Sequence, residues 1–433
     1  MQVLTAILLG ISSGFVAGLL PNVNLTLVII MIAPLLPWND LFVLLCFYIA
    51  ASSATQYAGS ISALLFGFPG ETTSLPAMRL RRFFSTVEDK KQAIYNTAAG
   101  SLIGAMVSLV LGMVVCYAVS DYTAYLRTSS ILLFTTLALI FCISSSDNRW
   151  WESIAMILLG FLFRMVGNDM ITGENFGTFG NPYLMTGIPM IAVMAGLMVL
   201  PVLLSCKRAV IAEEIAVLGP GSISFFSWDK LTCPALRGSI IGFLAGLIPF
   251  VGSSISSTVA YSVEKHLNED PLAQITSAET ADNSAYFSAL IPLLLFGIAI
   301  VPSEAVMLNM INRSTTHLSW ASISPLMFQL GIATVVINLI CFVMSYNLVD
   351  LIVRAYLSIE RYLVWIIGSL MILIAYQNGA EQGQGLYFLV MLALMSVLGY
   401  LLRNKDTVPI LFAFLVQETL FSALTRTMMM IKL

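Results

Sequence analysis

The chain has 433 residues, of which 58% are hydrophobic and 10% charged, and its formal net charge is −3. Average soluble domains carry about a quarter charged residues, so this composition excludes an ordinary soluble protein and predicts an integral membrane protein. The small net charge says little about partners, and no nucleic-acid partner is expected. Apolar runs of about 20 residues recur along the chain, which predicts spanning helices rather than strands.

The first half, residues 1–205, is predicted to hold two interrupted membrane segments and four plainer ones. The interrupted segments are 3–36, broken at 21–24, and 41–78, broken near Pro69. The plainer segments are 93–120, 129–146, 153–168 and 184–205. Because the N-terminus has no basic region and no small-residue cleavage site, the first segment is predicted to be a retained helix.

Residues 206–235 connect the halves, and residues 236–433 are predicted to repeat the same order. The interrupted segments are 236–263, broken at 249–252, and 284–311, broken near Pro302. Segments 326–353, 362–378, 386–402 and 408–431 follow. The prediction is an all-α polytopic membrane protein with about 10–12 membrane segments in two homologous repeats.

The repeat is visible in the sequence itself. Residues 10–24 and 238–252 share eight of fifteen positions at a constant offset of 228. Glycine and proline therefore interrupt corresponding apolar segments in both halves, a pattern typical of secondary transporters whose site lies at the repeat interface.

The relative orientation of the halves follows from charge and from the number of crossings. The loop with Arg79, Arg81, Arg82, Lys90 and Lys91 is the most basic and is placed in the cytoplasm. The second half is less basic here, and residues 264–283 are interpreted as an acidic loop, which favours inverted repeats. Inversion requires an odd number of crossings per half, whereas six segments are counted. Either 41–78 and 284–311 are re-entrant hairpins, or the halves are parallel.

Polar residues cluster at the interruptions. Proline removes a backbone donor, and free backbone groups at membrane depth are tolerated where they are buried in protein or line a wet cavity. Helix N-termini exposed by such breaks attract anions, and exposed carbonyls attract cations. Small residues that merely allow close helix packing are the alternative reading. The predicted substrate-binding residues are Asn22, Asn24, Ser60, Gly70, Thr72, Thr73, Ser253, Ser254, Asn283 and Ser303.

Carboxylates within the apolar segments are candidates for ion coupling. Glu71 and Glu304 follow Pro-small pairs, and Asp282 precedes Asn283. Intramembrane carboxylates are costly and mark functional sites, although Glu71 and Glu304 would also serve as helix N-terminal caps. Both histidines, His266 and His317, are placed in loops, so no metal site and no catalytic residues are predicted.

At these residues the chain resembles the large membrane subunit of the tripartite tricarboxylate transporters, of the TctA type. The resemblance rests on residues 14–24, 57–70, 242–254 and 279–297. Of the Pro-Gly pairs that the family carries, Pro69-Gly70 is intact, whereas the first and third read Pro21-Asn22 and Pro249-Phe250. This divergence affects positions where ligands should bind.

The resemblance implies a protein of the bacterial inner membrane that imports citrate-like carboxylates using an ion gradient. It also implies a small four-helix membrane subunit and a periplasmic binding protein as partners, with Na⁺ or H⁺ as coupling ion and no other cofactor. The leading prediction is thus a secondary transporter of a tri- or dicarboxylate-like anion that works by alternating access. A transporter of an amphipathic or zwitterionic solute that needs no partner subunits is the alternative, and an intramembrane enzyme a third. The oligomeric state stays open.

Overall fold

The computed structural model describes residues 2–19, 25–32, 40–65, 75–84, 86–120, 148–168, 175–199, 228–248, 252–296, 299–311, 320–347 and 383–431, together with parts of 132–146 and 362–380. The helices in these ranges are α1 (Gln2–Leu19), α2 (Leu25–Ile32), α3 (Leu41–Leu65), α4 (Leu75–Leu80), α5 (Val87–Ser120), α6 (Trp150–Met165), α7 (Met190–Met194, continued by a π-helical turn Ala195–Val199), α8 (Trp228–Gly246), α9 (Gly252–Leu267), α10 (Pro271–Phe296), α11 (Pro302–Ile311), α12 (Trp320–Asn347), α13 (Gly385–Leu401) and α14 (Val408–Ile431).

Four of these helices are long and apolar enough to cross a membrane: α1, α3, residues 88–119 of α5 and residues 324–347 of α12. Large apolar side chains stay exposed along α5 and α12, including Val110, Val114, Phe328 and Ile332, as expected of surfaces that face lipid. The prediction of a helical membrane protein is confirmed. A two-stranded antiparallel hairpin, β1 (Gly167–Asn168) with β2 (Asn175–Phe176), departs from an entirely helical chain.

The glycines of the duplicated motif let helices approach closely. Cβ atoms built on Gly10, Gly14 and Gly18 of α1 would come within 2.7 Å of the backbone carbonyl oxygens of Phe47, Ala51 and Thr55 of α3. Cβ atoms on Gly238, Gly242 and Gly246 of α8 would come within 2.3 Å of the backbone carbonyl oxygens of Ser277, Ala281 and Ala285 of α10. Both copies therefore pack in the same manner, parallel to a following helix, and only glycine fits there.

The interrupted segment predicted at 236–263 consists of two helices that run in opposite directions. Lys230, at the start of α8, forms an ion pair with Asp270, which follows α9, with 2.5 Å between Nζ and Oδ2. Arg237 of α8 binds both carboxylate oxygens of Glu264, near the end of α9, at 2.6 and 2.9 Å. Residues 236–263 thus contribute parts of two antiparallel helices, α8 and α9, rather than one interrupted helix.

The interpretation of residues 264–283 as an acidic loop is wrong. Glu264 and His266 lie in the last turns of α9, and α10 begins at Pro271. Glu279 and Asp282 lie within α10, each 1% exposed. The hydropathy of this stretch is low because α10 carries polar residues on its buried surface, so composition alone made it look like a loop.

Packing contacts fix the directions of the central helices. Ser60, near the end of α3, contacts Glu279 in the first half of α10, whereas Tyr48, near the start of α3, bonds Ser303 beyond the end of α10. Helices α3 and α10 are therefore antiparallel.

Helices α5 and α12 are also antiparallel. The ring of Tyr95, near the start of α5, lies 4.6 Å from that of Tyr346, at the end of α12. A Cβ built on Gly331, in the first half of α12, would instead meet Met113, far along α5.

A second group is formed by α6, α7, α13 and α14. Asn148, before α6, exchanges two hydrogen bonds with the backbone of Asp406, before α14, and Lys405 forms an ion pair with Glu152 at 2.6 Å. Helices α6 and α14 therefore start side by side. Thr186 and Gln384 make the equivalent contact before α7 and α13, with 3.0 Å between Oγ1 and Oε1. The short 402–407 connection makes α13 and α14 antiparallel. Because α14 runs in the same direction as α6, α6 and α13 run in opposite directions.

Candidate functional site

A polar cleft opens between α3, α5, α10 and α12. Its interior is narrow, with room for about one water molecule, and it is open on one side. The described side chains around it are neutral: Tyr48, Ile49, Ser52, Ser53, Gln56, Ala105, Asn283, Tyr286, Phe287, Leu290 and Asn338. Pockets for small molecules typically combine such an apolar wall with a few polar groups that fix orientation.

The polar side chains of α3 lie on one face because they are spaced four residues apart. Ser52, Gln56 and Ser60 follow this spacing, which places side chains above one another on a helix. The amide of Gln56 is 3.5 Å from the hydroxyl of Ser52, and the hydroxyl of Ser60 donates to the backbone oxygen of Gln56 at 3.2 Å. The three residues are buried, so this face is directed at the neighbouring helices.

One turn beyond the cleft, a carboxylate joins α3 to α10. The hydroxyl of Ser60 donates a hydrogen bond to Oε2 of Glu279. The amide nitrogen of Asn283 donates to the hydroxyl of Ser101 on α5 at 2.8 Å and to the backbone oxygen of Glu279 at 3.2 Å. Within the described part of the chain, Oε1 of Glu279 has no hydrogen-bond partner. These four residues, called the Glu279 cluster below, therefore hold a buried carboxylate in an otherwise neutral setting.

Close packing of α5 on α10 encloses the cluster. Cβ atoms on Gly100 and Gly104 would come within 2.5 Å of Thr280. The hydroxyl of Ser108 donates to the backbone oxygen of Ser284 at 2.9 Å. Glycines on α5 thus bring its backbone against α10 and remove room for water at this side of Glu279.

Glu304 serves as a cap at the start of α11. Its Oε2 accepts a hydrogen bond from the backbone N–H of Ile300 at 3.0 Å. A glutamate at this position satisfies a donor at the helix N-terminus, and its charge is favourable there. The geometry therefore favours the capping alternative for Glu304, although its Oε1 has no partner among the described residues.

The sequence-predicted site residues divide into three groups. Ser60, Asn283, Asp282, Ser303 and Glu304 are described and buried. Ser253 and Ser254 lie in the first turn of α9, and their side chains are outside the described part. The remaining predicted residues, Asn22, Asn24, Gly70, Glu71, Thr72 and Thr73, lie outside the described residues.

Ser60 and Asn283 meet in the Glu279 cluster, and Ser303 reaches the cleft through the hydroxyl of Tyr48 at 3.0 Å. The prediction did not include Gln56, Ser101, Glu279 or Asn338. The four-residue spacing of polar side chains along α3 would have indicated Gln56. Glu279 was overlooked as a site residue because it was assigned to a loop.

Comparison with known proteins identifies the family. A curated protein of Agrobacterium vitis, described as an uncharacterized 52.8 kDa protein in the TAR-I ttuC' 3'region, is 26% identical over 313 residues, which make up 69% of this chain and 62% of that relative. The chain thus matches less than two thirds of that relative's length. No solved structure matches the chain. The model of the tripartite tricarboxylate transporter TctA family matches residues 4–412. This match spans nearly the whole sequence, and the chain therefore belongs to the tripartite tricarboxylate transporter TctA family.

Proposed function

We propose that this chain is the membrane subunit of an ion-gradient-driven secondary transporter that imports a small organic anion of the di- or tricarboxylate type. The observation that carries the proposal is the neutral polar cleft between α3, α5, α10 and α12, with a buried carboxylate one turn away. Membership of a transporter family supports a transport role over an enzymatic one.

The chemistry of the cleft suits a carboxylate that must be released again. Gln56 and Asn338 each keep one amide N–H beyond the hydrogen bond that they make within their own helix, and Tyr48, Ser52 and Ser53 offer hydroxyls. Each hydrogen bond to a charged ligand contributes about 1.5–3 kcal/mol, so several can hold an anion without a fixed positive charge. A lysine or arginine in a dry site would bind a multiply charged anion more tightly and slow its release.

Helix directions support two inverted repeats. If the second half repeats the first, α3 corresponds to α10, α5 to α12 and α6 to α13. Each of these pairs runs in opposite directions, as inversion requires and as a parallel duplication would not allow. If α8 and α9 each cross the membrane, the number of crossings in the second half becomes odd, as inversion requires.

Alternating access then needs one helix group to move against another. We assign the moving group to α1, α3, α5, α8, α9, α10 and α12, which enclose the cleft and the Glu279 cluster. The scaffold would comprise α6, α7, α13 and α14, which hold each other through Lys405, Glu152, Thr186 and Gln384. This division matches the plainer segments 129–205 and 362–431 of the two halves.

The proposal also includes a location in a bacterial inner membrane and two partners, a small four-helix subunit and a periplasmic binding protein. Family membership supports these parts of the proposal. The test is counterflow by the purified chain in liposomes loaded with unlabelled citrate. We expect labelled external citrate to exchange inwards. In a separate uptake assay with liposomes that contain no citrate, collapse of both the proton and sodium gradients should abolish net accumulation. Accumulation that survives the loss of both gradients would contradict ion coupling.

A second candidate is favoured because the described side chains that line the cleft carry no charge. A zwitterionic or amphipathic solute, transported without partner subunits, would also fit neutral donors and the apolar wall of Ile49, Phe287 and Leu290. Thermal-shift screening of the purified protein across carboxylates, amino acids and lipid-linked compounds separates the two candidates. Stabilisation by zwitterions and by no carboxylate would favour the second.

A further inference from the structure

Glu279 is a buried acid that has no basic partner among the described residues. Its side chain is 1% exposed, and it contacts the hydroxyl of Ser60 and, through its backbone oxygen, the amide of Asn283. Transfer of an ionised carboxylate from water into a low-dielectric interior is costly unless a positive charge compensates it. The carboxylate therefore needs either a proton or a bound cation when its surroundings are dry.

Charged groups on the elements packed against α10 do not supply that compensation. Those with described side chains are Arg81, which follows α4 and donates to the backbone oxygens of Leu64 and Leu65, Glu88, Asp89, Lys90 and Lys91 on α5, Asp229, Lys230 and Arg237 on α8, and Glu264, Lys265 and His266 on α9, with Asp282 on α10 itself. Titratable hydroxyls and thiols nearby are Cys46, Tyr48 and Tyr57 on α3, Tyr95 on α5, Tyr261 on α9 and Tyr286 on α10.

Arg237 lies nearly level with Glu279 along the parallel pair α8 and α10, but its guanidinium binds both oxygens of Glu264. Lys230 is paired with Asp270 at the start of α10. Asp270 precedes Glu279 by nine residues, which is about 13 Å along a helix. Neither cation of α8 therefore neutralises the acid.

The immediate environment favours a proton over a metal cation. Hard metal cations are held by several oxygen ligands at once, and the same requirement applies to Na⁺, the alternative coupling ion. In the Glu279 cluster, the hydroxyl of Ser60 and the amide nitrogen of Asn283 both act as hydrogen-bond donors. Neither group acts as an oxygen ligand for a cation in this arrangement. A proton needs only one oxygen, and Oε1 of Glu279 has no partner in the described part of the chain.

We propose that Glu279 is the proton-binding residue of the transport cycle. One proton from water binds the carboxylate to give the neutral acid, and the same proton returns to water on the other side of the membrane. The coupling to substrate rests on the proposed function. Ser60 and Asn283 link the acid to Gln56 and to the cleft, one helical turn away on both α3 and α10. Two negative charges repel strongly in an apolar interior, so an anion in the cleft and a protonated Glu279 are bound together.

The direct test is a pH titration of the purified chain in lipid, followed by infrared difference spectroscopy of the carboxylic acid C=O band. We expect the Glu279→Gln variant to lose the band of one carboxyl group and the Glu279→Asp variant to retain one. Glu304→Gln is the matched control, since Glu304 is equally buried but caps a helix, and it should keep the Glu279 band. Identical titrations of wild type and Glu279→Gln would overturn the proposal, as would a band that responds to Na⁺ at constant pH.

Transport assays separate this proposal from the proposed function. With a pH gradient imposed, Glu279→Gln should lower the ratio of proton-driven accumulation of labelled citrate to counterflow exchange at least tenfold. Glu279→Asp should recover proton-driven accumulation. If wild type catalyses no counterflow of any carboxylate, the transport proposal fails, while the infrared titration still decides whether Glu279 binds a proton. Proton-driven accumulation by Glu279→Gln equal to wild type would refute the coupling role.

Discussion

Ser60 of α3 donates a hydrogen bond to Glu279 of α10, 219 residues further along the chain. This contact joins the two halves of the protein at a depth where the neighbouring side chains are buried, and one turn from the cleft. Any rearrangement of α3 against α10 alters both the cleft and the surroundings of Glu279. The contact therefore connects the substrate proposal with the proton proposal.

The glycine contacts of the duplicated motif predict a shared sensitivity to added methyl groups. A Cβ on Gly14 would lie 2.4 Å from the carbonyl oxygen of Ala51, and one on Gly242 would lie 2.1 Å from that of Ala281. Gly14→Ala and Gly242→Ala should each destabilise the fold by about 1–3 kcal/mol, since backbone atoms cannot move aside cheaply. Thermal unfolding in detergent measures the effect. Gly368→Ala is the control, because its Cβ meets nothing within 4 Å, and equal melting temperatures for the three variants would contradict the packing.

The contact between Glu152 and Lys405 predicts a pH-dependent stability. The hydrogen bond from Lys405 is the main cause that lowers the pKa of Glu152 below its ordinary value. A carboxyl group whose pKa is lowered by folding stabilises the folded state at pH values above its ordinary pKa of about 4.3. This stabilisation is lost as the pH falls through the pKa of Glu152 in the folded protein. The melting temperature of wild type should therefore exceed that of Lys405→Met at pH 7. The difference should vanish in acid; a difference that grows below pH 4 would contradict this reading.

The ion pair between Arg237 and Glu264 predicts an asymmetric response to mutation. Glu264 is fully buried, whereas the side chain of Arg237 is 39% exposed. Arg237→Met strands a buried carboxylate and should cost about 3 kcal/mol, at the low end for a broken buried pair because the arginine is partly solvated. Arg237→Met combined with Glu264→Leu should recover most of that loss. A double-mutant cycle on thermal stability checks this, and additive single effects would show that the two side chains do not interact.

Sequence patterns predicted the helical membrane fold class well, since it depends on local composition and spacing. The prediction of segment 408–431 agrees with α14, and that of 386–402 with α13, to within one residue. Helix α10 was missed in its first half because Glu279, Asp282 and Asn283 lower its hydropathy. Their burial depends on Gly100 and Gly104 of a distant helix, which no local pattern reveals. Helix directions likewise required contacts across the chain, such as that of Tyr48 with Ser303.

The central claim is that the cleft between α3, α5, α10 and α12 binds the transported anion. Equilibrium binding of labelled citrate and of smaller dicarboxylates to the purified chain tests it most directly. We expect saturable binding by wild type and at least tenfold weaker binding by Gln56→Leu and Asn338→Leu, with Asn148→Ala unchanged as a polar control outside the cleft. A tenfold loss corresponds to about 1.4 kcal/mol, within reach of one charge-assisted hydrogen bond. Saturable binding that both leucine variants retain at full affinity would place the anion elsewhere and contradict the account.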